Sequence, residues 1–398
     1  MAGPSFPSAL LWPMLAAVSA SEATAAFLHE IARRTATEEA LRPPLVRPDW
    51  ASDNRVVLEL PTLLLRDFST TQEPQDAASN HPDATPPPTL ICAPYALHGA
   101  TVADFAPGHS LVEALRAAGR TRLHLVEWRS ATPAMRDFGI DTLLADLNVA
   151  VDAFDEPVDL VGICQGGWMA LLFAARFPGK VRRLVIGGAP LDVAAGDSGL
   201  SRLAGTTPLS GFADLLRLGD GVLLGQLMLG LWGPAPTSPT AIRRELQLGE
   251  ADGGRHDGAR HDGAPVDAAE AALMQRFRDW YDWTVDLPGT YYLQVVQWLY
   301  KENRLARSAL TALGRRIDLS ALRLPVLLLA GRDDALVAPA QVTGILDRLG
   351  TPPEGRAALV VPSTHLGLFM GRTILAETWP GIVAWLDRPV AAPALAPA

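Results

Sequence analysis

The fold of this chain is indicated by one stretch, Leu160-Val161-Gly162-Ile163-Cys164-Gln165-Gly166-Gly167-Trp168-Met169-Ala170. It follows a short apolar run and leads into a helix-like segment, 171–177, so strand, tight turn and helix come in succession. This is the context of a nucleophile elbow, whose usual pattern is G-x-S-x-G. Gly162 and Gly166 hold the two glycine positions, and Cys164 stands where the serine would be. The alternative is a buried cysteine in a glycine-rich turn.

Physical chemistry favours a nucleophile at Cys164. An elbow holds the central residue in a strained backbone conformation, and the flanking glycines let the strand and the helix approach closely. The N-terminus of the following helix presents free N–H groups and the positive end of the helix dipole, which stabilise a thiolate. We therefore predict that Cys164 is the nucleophile of an enzyme.

Composition excludes some classes of protein. The chain has 398 residues, of which 48% are hydrophobic, so a large core is feasible. The formal net charge is -9 and Lys and Arg form no cluster, so we expect no nucleic-acid partner. Cys92 and Cys164 are the two cysteines. Two thiols in a long chain do not make a disulfide framework, which favours a reducing compartment.

Strand-like and helix-like segments alternate in two parts of the chain. Helices are predicted at 110–118, 140–154 and, at the end, 382–388. The alternation predicts an α/β fold with a mostly parallel central sheet flanked by helices on both faces. The predicted strands are 56–60, 63–68, 89–94, 123–128, 158–162, 183–188, 324–330 and 358–361.

The alternation stops between the two parts. We predict a core formed by 51–190 and 308–388, with 191–307 inserted as a helical cap over the site. Residues 1–50 are predicted to be a helical extension and 389–398 a disordered tail. The apolar stretch 8–18 is too short to span a bilayer; we favour a docked amphipathic helix over a cleaved signal peptide.

An acid and a histidine follow the elbow in the order that this type of site requires. Asp334 comes at the end of a predicted strand, three residues past Gly331 and five before Pro339, the usual spacing of a triad acid. Asp333 is the alternative acid. His365 is the one histidine that follows the last predicted strand, and its alternative role is to cap a helix or shape a loop.

An oxyanion hole is expected from backbone amides beside the nucleophile. One is that of Gln165, and the other comes from the loop after the 89–94 strand, at Tyr95, Ala96 or Leu97. His98 in the same loop is a candidate base, but we favour a loop-shaping or exposed role for it.

Residues 90–385 resemble the polyhydroxyalkanoate synthases, which are acyltransferases of the α/β-hydrolase fold with a Cys-Asp-His triad. The elbow is most similar to that of the class III synthases. Further agreement comes from 95–97 with 106–113, from 286–292 running on to 299–305, and from 331–339 with 365–367.

The resemblance implies an enzyme that polymerises 3-hydroxyacyl-CoA through Cys164, His365 and Asp334, without a cofactor or a metal. It implies 3-hydroxyacyl-CoA and the polyester chain as partners, in the cytoplasm, with association at the polymer granule surface. It leaves open whether the chain forms a homo-oligomer or joins a partner subunit.

Departures from the family pattern keep other functions open. Ala335 stands where the synthases usually have His, and Ser363-Thr364 where they usually have Gly-Gly. Intracellular depolymerases also use an elbow Cys but usually have Pro where this chain has Gly166. We favour transfer; the alternatives are a depolymerase or thioesterase with the same triad, and a catalytically silent granule-binding protein.

A repeated pentapeptide gives the first testable prediction. Residues 255–259 and 260–264 both read Arg-His-Asp-Gly-Ala, which suggests a metal site, but we favour a solvated low-complexity insert. Deletion of 253–265 should therefore leave both activity and metal content unchanged, as measured by turnover and elemental analysis. Stoichiometric zinc that is lost on deletion would contradict this interpretation.

Overall fold

The computed structural model describes residues 45–70, 86–231, 236–248 and 268–388. At their centre is an eight-stranded sheet in the order β1-β2-β4-β3-β5-β6-β7-β8. The pairs β1–β2 and β2–β4 are antiparallel and the remaining pairs are parallel. The strands are β1 Arg55–Glu59, β2 Leu63–Asp67, β3 Thr89–Cys92, β4 Leu123–Trp128, β5 Val158–Ile163, β6 Val181–Gly187, β7 Val326–Gly331 and β8 Arg356–Val361.

The sheet confirms the predicted α/β class and all eight predicted strands. Each strand begins and ends within two residues of its prediction. The central strands β5 and β7 are buried at every position, which requires cover on both faces of the sheet. In β7 a continuous apolar run in the sequence predicts this burial directly, whereas β5 carries a buried Asp159 that pairs with Arg120.

Helices supply that cover, and successive strand residues belong to two different core clusters. Leu160 lies in the first cluster with Leu143 and Leu171, whereas Val161 lies in the second with Leu111 and Trp379. The core helices are α1 Leu111–Ala117, α2 Ile140–Val151 and α3 Gln165–Arg176 before the inserted segment, and α10 Pro339–Thr343, α11 Gly367–Met370, α12 Arg372–Glu377 and α13 Trp379–Leu386 after it.

The described residues of the segment 191–307, which we call the inserted segment, are mostly helical. Within this segment, Val222–Leu223 and Leu287–Pro288 form a two-stranded antiparallel ribbon. Its helices are α4 Gly199–Thr206, α5 Leu209–Leu218, α6 Gly225–Leu231, α7 Pro239–Leu246, α8 Ala268–Asp282 and α9 Gly289–Gln294, followed by a π-helix, Val295–Lys301. The division into core and cap stays a prediction.

Several sequence predictions lie outside the described residues. They concern the N-terminal extension up to residue 44, the His-Asp repeat and the tail 389–398. Among the helices that are described, none is long and apolar enough to cross a membrane.

Close packing at the turn between β5 and α3 explains its glycines. A Cβ added to Gly166 would lie 2.1 Å from the carbonyl oxygen of Cys92 and 2.5 Å from that of Ala93. A Cβ on Gly162 would lie 2.6 Å from the Cα of Gly167. The helix therefore begins in direct backbone contact with the end of β3, and only glycine permits this contact.

We predict that Gly166→Ala lowers the free energy of unfolding by about 3 kcal/mol, because backbone carbonyls cannot move aside as a flexible side chain would. Gly381→Ala is the matched control: this glycine is exposed within α13 and a Cβ there meets nothing within 4 Å. That substitution should raise stability by roughly 0.5–1 kcal/mol. Urea unfolding measures the free energy of unfolding of both variants, and equal changes in the two would contradict the packing argument.

Candidate active site

Cys164 sits at the turn between β5 and α3 with φ 50° and ψ -130°. Positive φ is costly for a residue with a side chain, so the surrounding structure must hold it. Its N–H donates to the carbonyl of Gly187 at 2.8 Å, and its carbonyl accepts from the N–H of Gly167 at 3.0 Å. The strained turn predicted from the sequence is therefore present.

The loops after β7 and β8 bring the predicted acid and histidine to this turn. His365 Nε2 lies 3.1 Å from Cys164 Sγ, and His365 Nδ1 lies 2.7 Å from Asp334 Oδ2. The other oxygen, Asp334 Oδ1, accepts the N–H groups of Leu336 and Val337, each at 2.9 Å. Both carboxylate oxygens of Asp334 thus have hydrogen-bond partners, which fixes the orientation of the carboxylate and of the His365 ring bonded to it.

Asp333, the alternative acid, occupies a different position. It is exposed, and its backbone N–H donates to the carbonyl of Ser363 at 3.1 Å. The contact with His365 is made by Asp334.

Electrostatics favour a charged His365. Burial alone would lower its pKa, but the charges of Asp334 and Cys164, and hydrogen bonds to both, outweigh burial and hold the pKa well above its ordinary value. The imidazolium is therefore favoured beside the two groups that it bridges. Cys92, the other thiol, is fully buried in β3, and burial raises its pKa to about 12.

Gln165 is fixed by its side chain. Its Oε1 accepts from Trp168 Nε1 at 2.8 Å, and its Nε2 donates to Tyr300 Oη at 2.9 Å. Its backbone N–H is among the first of α3, which have no partner within a helix. Sequence reasoning missed Tyr300 as a support, although it lies in the 299–305 stretch that carries the family resemblance.

The second group of predicted oxyanion residues forms a buried loop after β3. Tyr95 Oη donates to the carbonyl of Arg129 at 2.7 Å. Leu97 has φ 37°, and its carbonyl accepts from Val285 in the inserted segment at 2.8 Å. Ala96 and Leu97 line the same cavity as Cys164. These contacts hold the loop in place beside Cys164.

Cys164 lines a cavity of about 310 Å³. A smaller and mainly apolar cavity of about 70 Å³ lies beside it, and Ala96 borders both. The inserted segment contributes much of the wall of the larger cavity through Pro236, Arg244, Glu245, Trp280 and Tyr281.

His98 shapes the loop but is not exposed. Its ring is buried and lies 4.4 Å from the ring of Trp280 and 4.5 Å from that of Tyr281, centroid to centroid. Its Nδ1 is 3.4 Å from the carbonyl oxygen of Trp283. Burial lowers the pKa of His98 to about 3, so the ring stays neutral at physiological pH.

Comparison with known proteins agrees with this fold. Residues 115–219 match the family model described as alpha/beta hydrolase fold, and residues 256–389 match the one described as PHB de-polymerase C-terminus. The chain is 28% identical over 311 residues to the poly(3-hydroxyalkanoate) polymerase subunit PhaC of Synechocystis sp., covering 75% of this chain and 76% of that protein. The chain has the α/β-hydrolase fold and is similar to the poly(3-hydroxyalkanoate) polymerase subunits over about three quarters of its length.

A second polymerase subunit, from Allochromatium vinosum, is 26% identical over 320 residues, covering 79% of this chain and 84% of that protein. Among solved structures, a putative non-heme bromoperoxidase from Mycobacterium tuberculosis aligns with a TM-score of 0.48 at 16% identity, over 84% of this chain and all of the other. The predicted resemblance to the polyhydroxyalkanoate synthase family is confirmed by the polymerase relatives.

The geometry predicts that Asp334→Asn reduces acylation of Cys164 roughly a thousandfold or more, by analogy with other triads. The pKa of His365 should fall at the same time, because the opposing charge is lost and the burial remains. The histidine then deprotonates at a lower pH than in the native protein, which NMR titration of labelled histidine measures. Asp333→Asn is the control; equal losses in both variants would contradict the assignment.

Proposed function

We propose that the protein is an acyltransferase of the polyhydroxyalkanoate synthase type, which polymerises 3-hydroxyacyl-CoA. The observation that carries the proposal is the row Cys164–His365–Asp334, with contacts of 3.1 and 2.7 Å, opening into a covered and largely apolar cavity. The similarity to polymerase subunits supports the choice of substrate.

In the first step, Cys164 attacks the thioester carbonyl of 3-hydroxyacyl-CoA as a thiolate, while His365 carries its proton. Backbone amides, of Gln165 and of one of Tyr95, Ala96 or Leu97, stabilise the oxyanion. The bond to the CoA sulfur then breaks, and CoA leaves as a thiol with the proton from His365. One thioester replaces another, so the exchange costs little free energy.

In the second step, the hydroxyl of another acyl unit attacks the acyl-Cys164 thioester. His365, oriented by Asp334, takes the hydroxyl proton, an ester bond forms and the bond to Sγ breaks. A wall of apolar side chains over the nucleophile disfavours water and protects the acyl-enzyme from hydrolysis. The mechanism uses no cofactor and no metal. We propose that the protein acts in the cytoplasm, at the surface of the growing polymer granule.

The alternative function is hydrolysis by the same triad. It is favoured by the match of residues 256–389 to the PHB de-polymerase C-terminus model. Ala335 and Ser363-Thr364 also depart from the synthase pattern beside the acid and the histidine. In this case water replaces the hydroxyl of the second acyl unit, and the protein is a polyester depolymerase or a thioesterase.

Product analysis separates the two functions. The protein is incubated with 3-hydroxybutyryl-CoA, and CoA release is followed together with the acyl product. We expect oligomeric or insoluble ester, and no acyl-enzyme in Cys164→Ala, because loss of a triad member removes several orders of magnitude in rate. Cys92→Ala, which removes the buried thiol, is the control for thiol labelling. Free 3-hydroxybutyrate as the only product, with shortening of added amorphous polymer, would establish the hydrolase instead.

A further inference from the structure

Glu245 is a second carboxylate in the catalytic cavity, and the triad mechanism does not use it. It lies near the end of α7 in the inserted segment and lines the cavity together with Cys164 and His365. Its Oε2 accepts a hydrogen bond of 2.6 Å from Thr364 Oγ1. Because Thr364 directly precedes His365 in the chain, the carboxylate is held on the same wall as the catalytic histidine.

The hydrogen bonds of Thr364 leave one oxygen of this carboxylate available. Thr364 Oγ1 also accepts the N–H of Gly367 at 3.2 Å, so its single proton goes to Glu245. Gln247, which follows in the same segment, donates to Ser363 Oγ at 3.2 Å and so fixes the neighbouring turn. Among the described residues, none donates a hydrogen bond to Glu245 Oε1. Oε1 can therefore accept a hydrogen bond from a ligand in the cavity that Glu245 lines.

The cavity around Glu245 is mostly apolar, and His365, Arg244 and Asp334 are the charged groups that act on its carboxylate. Burial raises its pKa, while the hydrogen bond from Thr364 and the charges of His365 and Arg244 oppose this shift. The other walls include Leu97, Trp280 and Phe369. A carboxylate in such surroundings is stabilised by hydrogen-bond donors, so the cavity suits an uncharged ligand that presents a hydroxyl group at this point.

We propose that Glu245 binds the 3-hydroxyl group of the acyl chain attached to Cys164 and thereby selects 3-hydroxyacyl groups over unsubstituted acyl groups. The inference rests on the proposed function, since it requires an acyl-Cys164. The 3-hydroxyl is two carbons beyond the thioester carbon, so it stays close to the nucleophile, where the wall formed by His365 and Thr364 bounds the cavity. Its O–H donates to Glu245 Oε1.

The test compares acylation of Cys164 by two substrate pairs, each with and without the hydroxyl. The first pair is 3-hydroxybutyryl-CoA and butyryl-CoA, and the second is the p-nitrophenyl esters of the same two acids. Single-turnover mass spectrometry gives the four rates. We expect the native protein to prefer the hydroxylated member of each pair, and Glu245→Met to reduce that preference about tenfold by slowing that member alone.

Two further variants make the result decisive. Asp333→Asn removes another carboxylate at the edge of the same cavity and should leave the preference unchanged. Glu245→Gln retains a neutral acceptor and should reduce the preference for the hydroxylated substrate about threefold. This variant tests the proposal if Glu245→Met does not fold.

An unchanged preference, equal slowing of both members of a pair, or no preference in the native protein would overturn the proposal. Failure of the proposed function looks different: 3-hydroxybutyryl-CoA then gives free 3-hydroxybutyrate alone or does not react, while the nitrophenyl pair still reports the preference. No acylation by either pair would overturn both.

Discussion

The backbone contact between the start of α3 and the end of β3 is the constraint on which the site depends. Gly166 lies so close to the carbonyls of Cys92 and Ala93 that no side chain fits between them. This contact, and the close approach of Gly162 to Gly167, force the chain to turn within a few residues. The turn holds Cys164 at φ 50°, beside the free N–H groups of a helix N-terminus. The position of Cys164 and the position of the proposed oxyanion amide of Gln165 thus share one structural cause.

The charges of the site follow from this arrangement. A thiol at the turn meets an imidazole from the loop after β8, and that imidazole is fixed by a carboxylate from the loop after β7. Parallel strands end at the same edge of a sheet, so residues that are far apart in sequence meet there. Burial would make His365 neutral, but its two partners outweigh burial and keep its pKa high. Electrostatic preorganisation therefore comes from the fold rather than from solvent.

The inserted segment forms part of the wall of the cavity at Cys164. Trp280 and Tyr281 pack on His98 and close the apolar side. Glu245 and Gln247 form hydrogen bonds with Thr364 and Ser363, so the inserted segment contacts the loop before His365 by hydrogen bonds as well as by apolar packing. Here Ser363-Thr364 supplies the hydroxyl groups that these contacts need. A Gly-Gly pair at the same place would have none, so this sequence departure has a direct structural consequence.

The sequence by itself determined the sheet, the elbow and the candidate triad. Continuous apolar runs locate buried strands, and the spacing of Gly162, Cys164 and Gly166 is a local property of one turn. The sequence also predicted Cys164, Asp334 and His365 as a triad, because each of them follows a predicted strand in the expected order. Only the tertiary structure placed Tyr300 on Gln165 and Glu245 on Thr364, and made His98 part of the cavity wall. These contacts join residues more than a hundred positions apart, across an inserted segment whose helices pack according to shape, and no local pattern in the sequence encodes that packing.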